Sequence, residues 1–316
     1  MILLGKTHTS HIKYQIAAGV AAICINLLFP DLIYALRFWI LGFVILIIGM
    51  PHGALDHIIA FKAFKKAKNP KTQFLFYFSY LSVMLVYGLF WIYSPLAGFI
   101  LFLIMTLYHF GQADAERFSI DGFPKNVLLY SRGLTVVGLI LFGSDPYYSS
   151  AVIEEVTSFS FSEYAFTVLD PNFYTLFFAL IYPACFFLIS TFKTDIRQDG
   201  WMSMDAVVVP LLFSLCEPIF AFSVYFGCWH AFNHTKTMLN YLNSFDMDVN
   251  MKWFYRSTFL YSVLSYAGLF VTYLILKAFG NAELLVALLF IVISVLTLPH
   301  MFVVEKMYRN FSPKNN

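Results

Sequence analysis

The chain has 316 residues, of which 60% are hydrophobic and 12% charged, against roughly 25% charged in an ordinary soluble domain. The formal net charge of +2, with no basic patch beyond what membrane topology needs, gives no reason to expect a nucleic-acid partner. Phe (37) and Tyr (20) are abundant, so any internal cavity should be lined by aromatic rings.

Apolar runs in chain order predict helices over 14–30, 37–50, 73–93, 95–112, 127–143, 171–192, 205–224, 253–277 and 283–303, with a further one over 225–242. Most are long enough to cross a hydrocarbon layer about 30 Å thick. The expected fold is all-α: a polytopic integral membrane helical bundle of about 8–10 transmembrane helices, formed by residues 1–316 as a single domain. Met1 to Lys13 lacks the pattern of a cleavable signal. Cys24, Cys185, Cys216 and Cys228 all lie in apolar stretches without a C-x-x-C pair and read as buried hydrophobes. The acidic stretch 144–170 reads only as an external loop.

Charge sets an expected orientation. Lys62, Lys65, Lys66, Lys68 and Lys71 follow the second helix, and Lys193 and Arg197 follow the sixth. The segment 144–170 carries Asp145, Glu154, Glu155, Glu163 and Asp170 with no Lys or Arg. The positive-inside rule puts the first two loops in the cytoplasm and the third outside. Lys6 and Lys13, and Lys306, Arg309 and Lys314, then put both termini inside the cell (inner/plasma) membrane. That requires an even number of crossings. The segment 225–242 supplies one, with Pro218 as a break before it.

Of eight histidines, His8 and His11 precede the first span and are expected to be solvated. The other six fall in Pro51-His52-Gly53-Ala54-Leu55-Asp56-His57, Tyr108-His109-Phe110-Gly111, His230-Ala231-Phe232-Asn233-His234 and Leu298-Pro299-His300. The orientation argument, which uses no histidine, places all six in the inner half of the bilayer. A single intramembrane histidine is explained well enough as a hydrogen-bonded core residue; six at one depth point to a shared task. His230 and His234, four apart, share one helical face. His52 and His57, five apart, stand about 140° apart on a regular helix, so one is expected to ligate and the other to sit beside the site unless Pro51 and Gly53 break the helix. Asp56 is placed to orient a ligating imidazole through its other nitrogen, with Asp114 and Glu217 as weaker candidates. Imidazoles suit Zn, Cu, Fe and Ni; four of them around a six-coordinate ion leave two positions for dioxygen, which makes Fe(II) a plausible choice.

These segments resemble the signature of the Brp/Blh family of bacterial and archaeal membrane β-carotene 15,15′-dioxygenases. The resemblance covers nearly the whole chain in length, helix number and motif order. It implies a membrane non-haem Fe(II) dioxygenase that uses O2 to cleave the central 15,15′ double bond of β-carotene into two molecules of all-trans-retinal. It implies His52, His109, His230 and His234 as iron ligands, with His57 and His300 beside them. Tyr108, Phe110, Tyr225, Trp229 and Phe232 flank the ligands and become candidates for a substrate tunnel in the bilayer, although aromatic residues are common here for packing reasons alone. A retinal-binding rhodopsin is a conceivable recipient of the product.

Two rivals remain at this level. A membrane di-iron desaturase or hydroxylase would need more histidines and His-x-x-His-His boxes, which are absent. A transporter with relay histidines would suit a broken helix at Pro51, but the sequence has no evident repeat and few acidic residues for coupling.

Overall fold

The computed structural model describes residues 2–63, 69–116, 118, 120–193, 200–278 and 285–311. Lys65, Lys66, Lys68, Arg197 and Lys314, which carry part of the orientation argument, lie outside them. The described residues are helical with short connections and contain no strand. Eight helices among them are long and apolar enough to cross a membrane, and the chain is a multi-pass membrane protein. The outward side chains agree: Trp39, Phe74, Leu85 and Phe259 are exposed, as hydrocarbon favours and water does not.

Proline starts many of the helices, where its missing N–H costs nothing: Pro30, Pro70, Pro95, Pro146, Pro171 and Pro218 each take the first position. Side-chain caps precede several of them. Asn69 accepts from the Lys71 amide (3.0 Å), Asp145 from Tyr148 (2.9 Å), Asp170 from Asn172 (2.8 Å) and Glu217 from Phe220 (2.7 Å). The segment 144–170 accordingly contains two short helices, Pro146–Thr157 and Phe161–Val168. The helix expected over 205–224 stops at Leu215, and the next helical run extends from Pro218 to Asn243. The break therefore falls at Pro218, where it was expected, although the apolar run continues to 224; Glu217 caps the new helix.

The chain divides into two compact units, Met1–Val44 with Leu103–Asn233, and Ile45–Phe102 with His234–Asn316. In the first, the Phe123–Phe142 helix is buried along most of its length. Its neighbours are set by small residues. A Cβ on Gly111 would collide with the Leu129 carbonyl, one on Gly133 with the Leu107 carbonyl, and one on Gly138 with the Phe178 ring. Thr135 donates to the Phe178 carbonyl at 2.8 Å, closing the contact with the Pro171–Phe192 helix. Leu128, Val136, Phe186, Val209, Leu212, Tyr225 and Trp229 fill the space between. The second unit has its own core of Leu55, Ile59, Met238, Leu242, Phe254, Val304 and Met307.

Candidate metal centre

In the second unit His52 and His57 sit on an interrupted helix. The span Pro30–Lys62 has a widened π-helical turn at Ile45–Gly49, a short helix at Met50–Gly53, a turn at Ala54–Leu55 and a restart at Asp56. Pro51 has no N–H to give the preceding turn, and such widened turns gather at functional sites. The interruption separates the two histidines. His52 is buried, while the His57 ring packs on Tyr261 (4.5 Å between centroids) with its Nδ1 3.0 Å from the Ala54 carbonyl.

His52, His234 and His300 form a buried triad. Their ring centroids lie 5.8 Å (His52–His234), 5.2 Å (His52–His300) and 5.3 Å (His234–His300) apart. The Nδ1 of His52 is 3.3 Å from the Ile48 carbonyl. The Nδ1 of His300 is 2.7 Å from Asp56 Oδ1, and Tyr80 donates its hydroxyl to Asp56 Oδ2 at 2.8 Å. A carbonyl or carboxylate oxygen at Nδ1 accepts from Nδ1–H, which leaves Nε2 as the nitrogen either ring could offer a metal.

In the first unit His109 and His230 form a second buried group. Their ring centroids are 4.8 Å apart, with Phe110 4.4 Å from the His230 ring and Phe226 stacked on it at 5.5 Å. His230 lies within another widened turn, Phe226–Ala231. Around this pair runs a buried ionic network. Arg132 Nε is 2.7 Å from Asp114 Oδ2 and its Nη2 3.3 Å from Asp205 Oδ2. Tyr225 donates to Asp114 Oδ2 at 3.3 Å, and Trp229 Nε1 to Asp205 Oδ1 at 2.5 Å. The network ties the helix of His109 to the segment of His230 through charges that the bilayer interior would otherwise expel.

Both groups fit a transition metal by donor chemistry. The donors are imidazoles, and all are buried. A metal about 2.1 Å from a ring nitrogen lies roughly 3.2 Å from that ring's centroid, so imidazoles around one ion stand about 4.5–5.3 Å apart. The observed separations of 4.8, 5.2 and 5.3 Å fall in that range, and the 5.8 Å of His52–His234 lies just outside it.

The remaining expected residues have defined places. Asp56 holds His300, and Asp114 belongs to the Arg132 network. Glu217 is 3.5 Å from Arg37 and caps the Pro218 helix. Among the tunnel candidates, Phe110 touches the His230 ring, Tyr225 and Trp229 are buried in the first unit's core, Tyr108 accepts from Gln112 at 3.3 Å, and Phe232 lies 6.3 Å from the ring of His11. His11 is thus partly buried rather than solvated; the side chain of His8 lies outside the described residues. Tyr80, Arg132 and Asp205 were not among the expected residues. Arg132 and Asp205 did carry a signal, as ionisable residues inside apolar runs; Tyr80, one of 20 tyrosines, carried none.

A family model described as β-carotene 15,15′-dioxygenase matches residues 43–308. A probable β-carotene 15,15′-dioxygenase Blh of Halobacterium salinarum is 25% identical over 200 residues, 60% of this chain and 58% of that protein, so the chain spans less than two thirds of that relative. A β-carotene 15,15′-dioxygenase of uncultured marine bacterium 66A03 is 23% identical over 282 residues, 87% of this chain and 96% of that protein. No solved structure matches the chain.

Proposed function

Because the chain belongs to the β-carotene 15,15′-dioxygenase family, whose model spans residues 43–308, we propose that it is a membrane non-haem Fe(II) enzyme that cleaves the central double bond of β-carotene with O2 to give two molecules of all-trans-retinal. The observation that carries this reading is a set of buried imidazole donors in a protein of that family. His52, His109, His230 and His234 hold the iron. Each is less than a tenth exposed, and His230 and His234 are one helical turn apart in sequence.

Bound iron would supply the redox chemistry that activates O2. The protein's share is to bind, orient and exclude. Neutral imidazoles leave the cation its full charge, and burial keeps water from competing for it. β-Carotene dissolves in the bilayer core and reaches the enzyme sideways between helices. It offers no hydrogen-bonding group, so aromatic walls must hold it by dispersion and shape, with Tyr108, Phe110 and Phe232 as contributors. The position of the cut follows from the length of the channel against the ionone rings.

The protein sits in the cytoplasmic membrane with both termini inside, on the strength of its charged loops. Its aldehyde product suits a retinal-binding rhodopsin. Co-expression with β-carotene biosynthesis tests the activity: bleaching with retinal as the product supports it. Longer apocarotenals would refute the central cut, and unchanged pigment would refute the enzyme.

A further inference from the structure

The chain Tyr80–Asp56–His300 ends on the histidine triad. Asp56 is almost fully buried and shares its two oxygens between two donors, the Tyr80 hydroxyl at 2.8 Å and His300 Nδ1 at 2.7 Å. A buried carboxylate is costly, and a purely structural pairing with His300 would be met as well by a neutral acceptor. A carboxylate on the far nitrogen of an imidazole is the arrangement that fixes a metal ligand's tautomer and raises its basicity. The His300 ring stands 5.2 Å from His52 and 5.3 Å from His234, about as far apart as two imidazoles on one ion. Its sequence distance from Asp56, 244 residues, leaves this association invisible to motif reading.

We infer that His300 is itself a ligand of the iron through Nε2, with Asp56 orienting it and Tyr80 orienting Asp56. The inference rests on the iron-enzyme reading above and enlarges its donor set. His300 would join His52 and His234 as a ligand. Asp56 supplies the negative charge that the imidazoles lack, one bond removed from the metal. Tyr80, donating to Asp56 Oδ2, would hold the carboxylate against His300.

Co(II) serves as the probe, because its visible bands report the number and type of ligands independently of turnover. The full chain is purified in detergent, stripped with a chelator and titrated. His300→Ala should weaken Co(II) binding about 100-fold and change the band shape, and added imidazole should restore both. Asp56→Asn should weaken binding roughly 10–100-fold, the range for loss of a partner behind a ligand, and Tyr80→Phe by less. Wild-type affinity and bands in His300→Ala, alongside lost binding in His234→Ala, overturn the inference and leave the iron site standing. Wild-type binding in His52→Ala and His234→Ala as well would overturn the iron site itself. If His300→Ala does not fold, Asp56→Asn decides: an unchanged affinity overturns the inference.

Discussion

Arg132 and Asp114 form a buried ion pair, Nε to Oδ2 at 2.7 Å, with both side chains almost fully enclosed. The same guanidinium reaches Asp205, so one cation serves two carboxylates from different helices. Removing the cation alone strands two anions. Arg132→Met should therefore destabilise the protein by about 3–5 kcal/mol, measured by unfolding in detergent. Arg132→Met combined with Asp114→Asn should recover part of that loss, because one stranded charge is gone. A single variant as stable as the parent would show that the network contributes little.

The ligand assignment predicts loss of product with the protein intact. His52→Ala, His109→Ala, His230→Ala and His234→Ala should each insert normally, retain at most a trace of retinal formation and contain less iron. Full activity in any one of them removes that residue from the donor set.

His57 belongs to the same sequence motif as His52 yet turns to Tyr261, whose hydroxyl is 2.9 Å from that of Tyr77. His57→Ala should keep the iron content of the parent. Its cost should appear as a modest fall in stability, about 1 kcal/mol, from lost ring contacts. An iron content as low as that of His52→Ala would place His57 at the metal.

Helix contact in the first unit depends on missing side chains. Gly111→Ala forces its methyl into the Leu129 carbonyl, backbone that cannot swing aside. A loss of about 1–3 kcal/mol is expected, together with reduced retinal formation, because His109 lies two residues away on the same helix. Gly88→Ala meets nothing within 4 Å and should be neutral or stabilising by up to about 1 kcal/mol. Equal behaviour of the two variants in thermal unfolding would contradict the packing argument.

The sequence carried the membrane assignment and the histidine motifs because both are local signals: long apolar runs, and ionisable residues where lipid disfavours them. The pairing of His57 with Tyr261, and of Asp56 with His300, depends on which helices meet, and spacing along the chain cannot supply that. The break at Pro218 was legible from the proline although hydropathy runs smoothly across it, and Glu217 before it is the capping acid that marks a helix start. Asp145-Pro146 gave the same sign for the helices in 144–170. The widened turns left no trace, because nothing in the residue types of Ile45–Gly49 or Phe226–Ala231 distinguishes a widened turn from a regular one.

Those two turns have an inheritance of their own. Each holds one residue more than a regular helical turn would, so a deletion of a single codon within it yields an ordinary helix rather than a break. Everything beyond the deletion keeps its face, whereas the same loss from a regular turn would swing it by about 100° about the helix axis. A gene that had lost the codon for Ile47 would keep His52 on its face, while one that had lost a codon from the regular turns of Pro30–Val44 would look just as intact to a motif search with His52 facing another way.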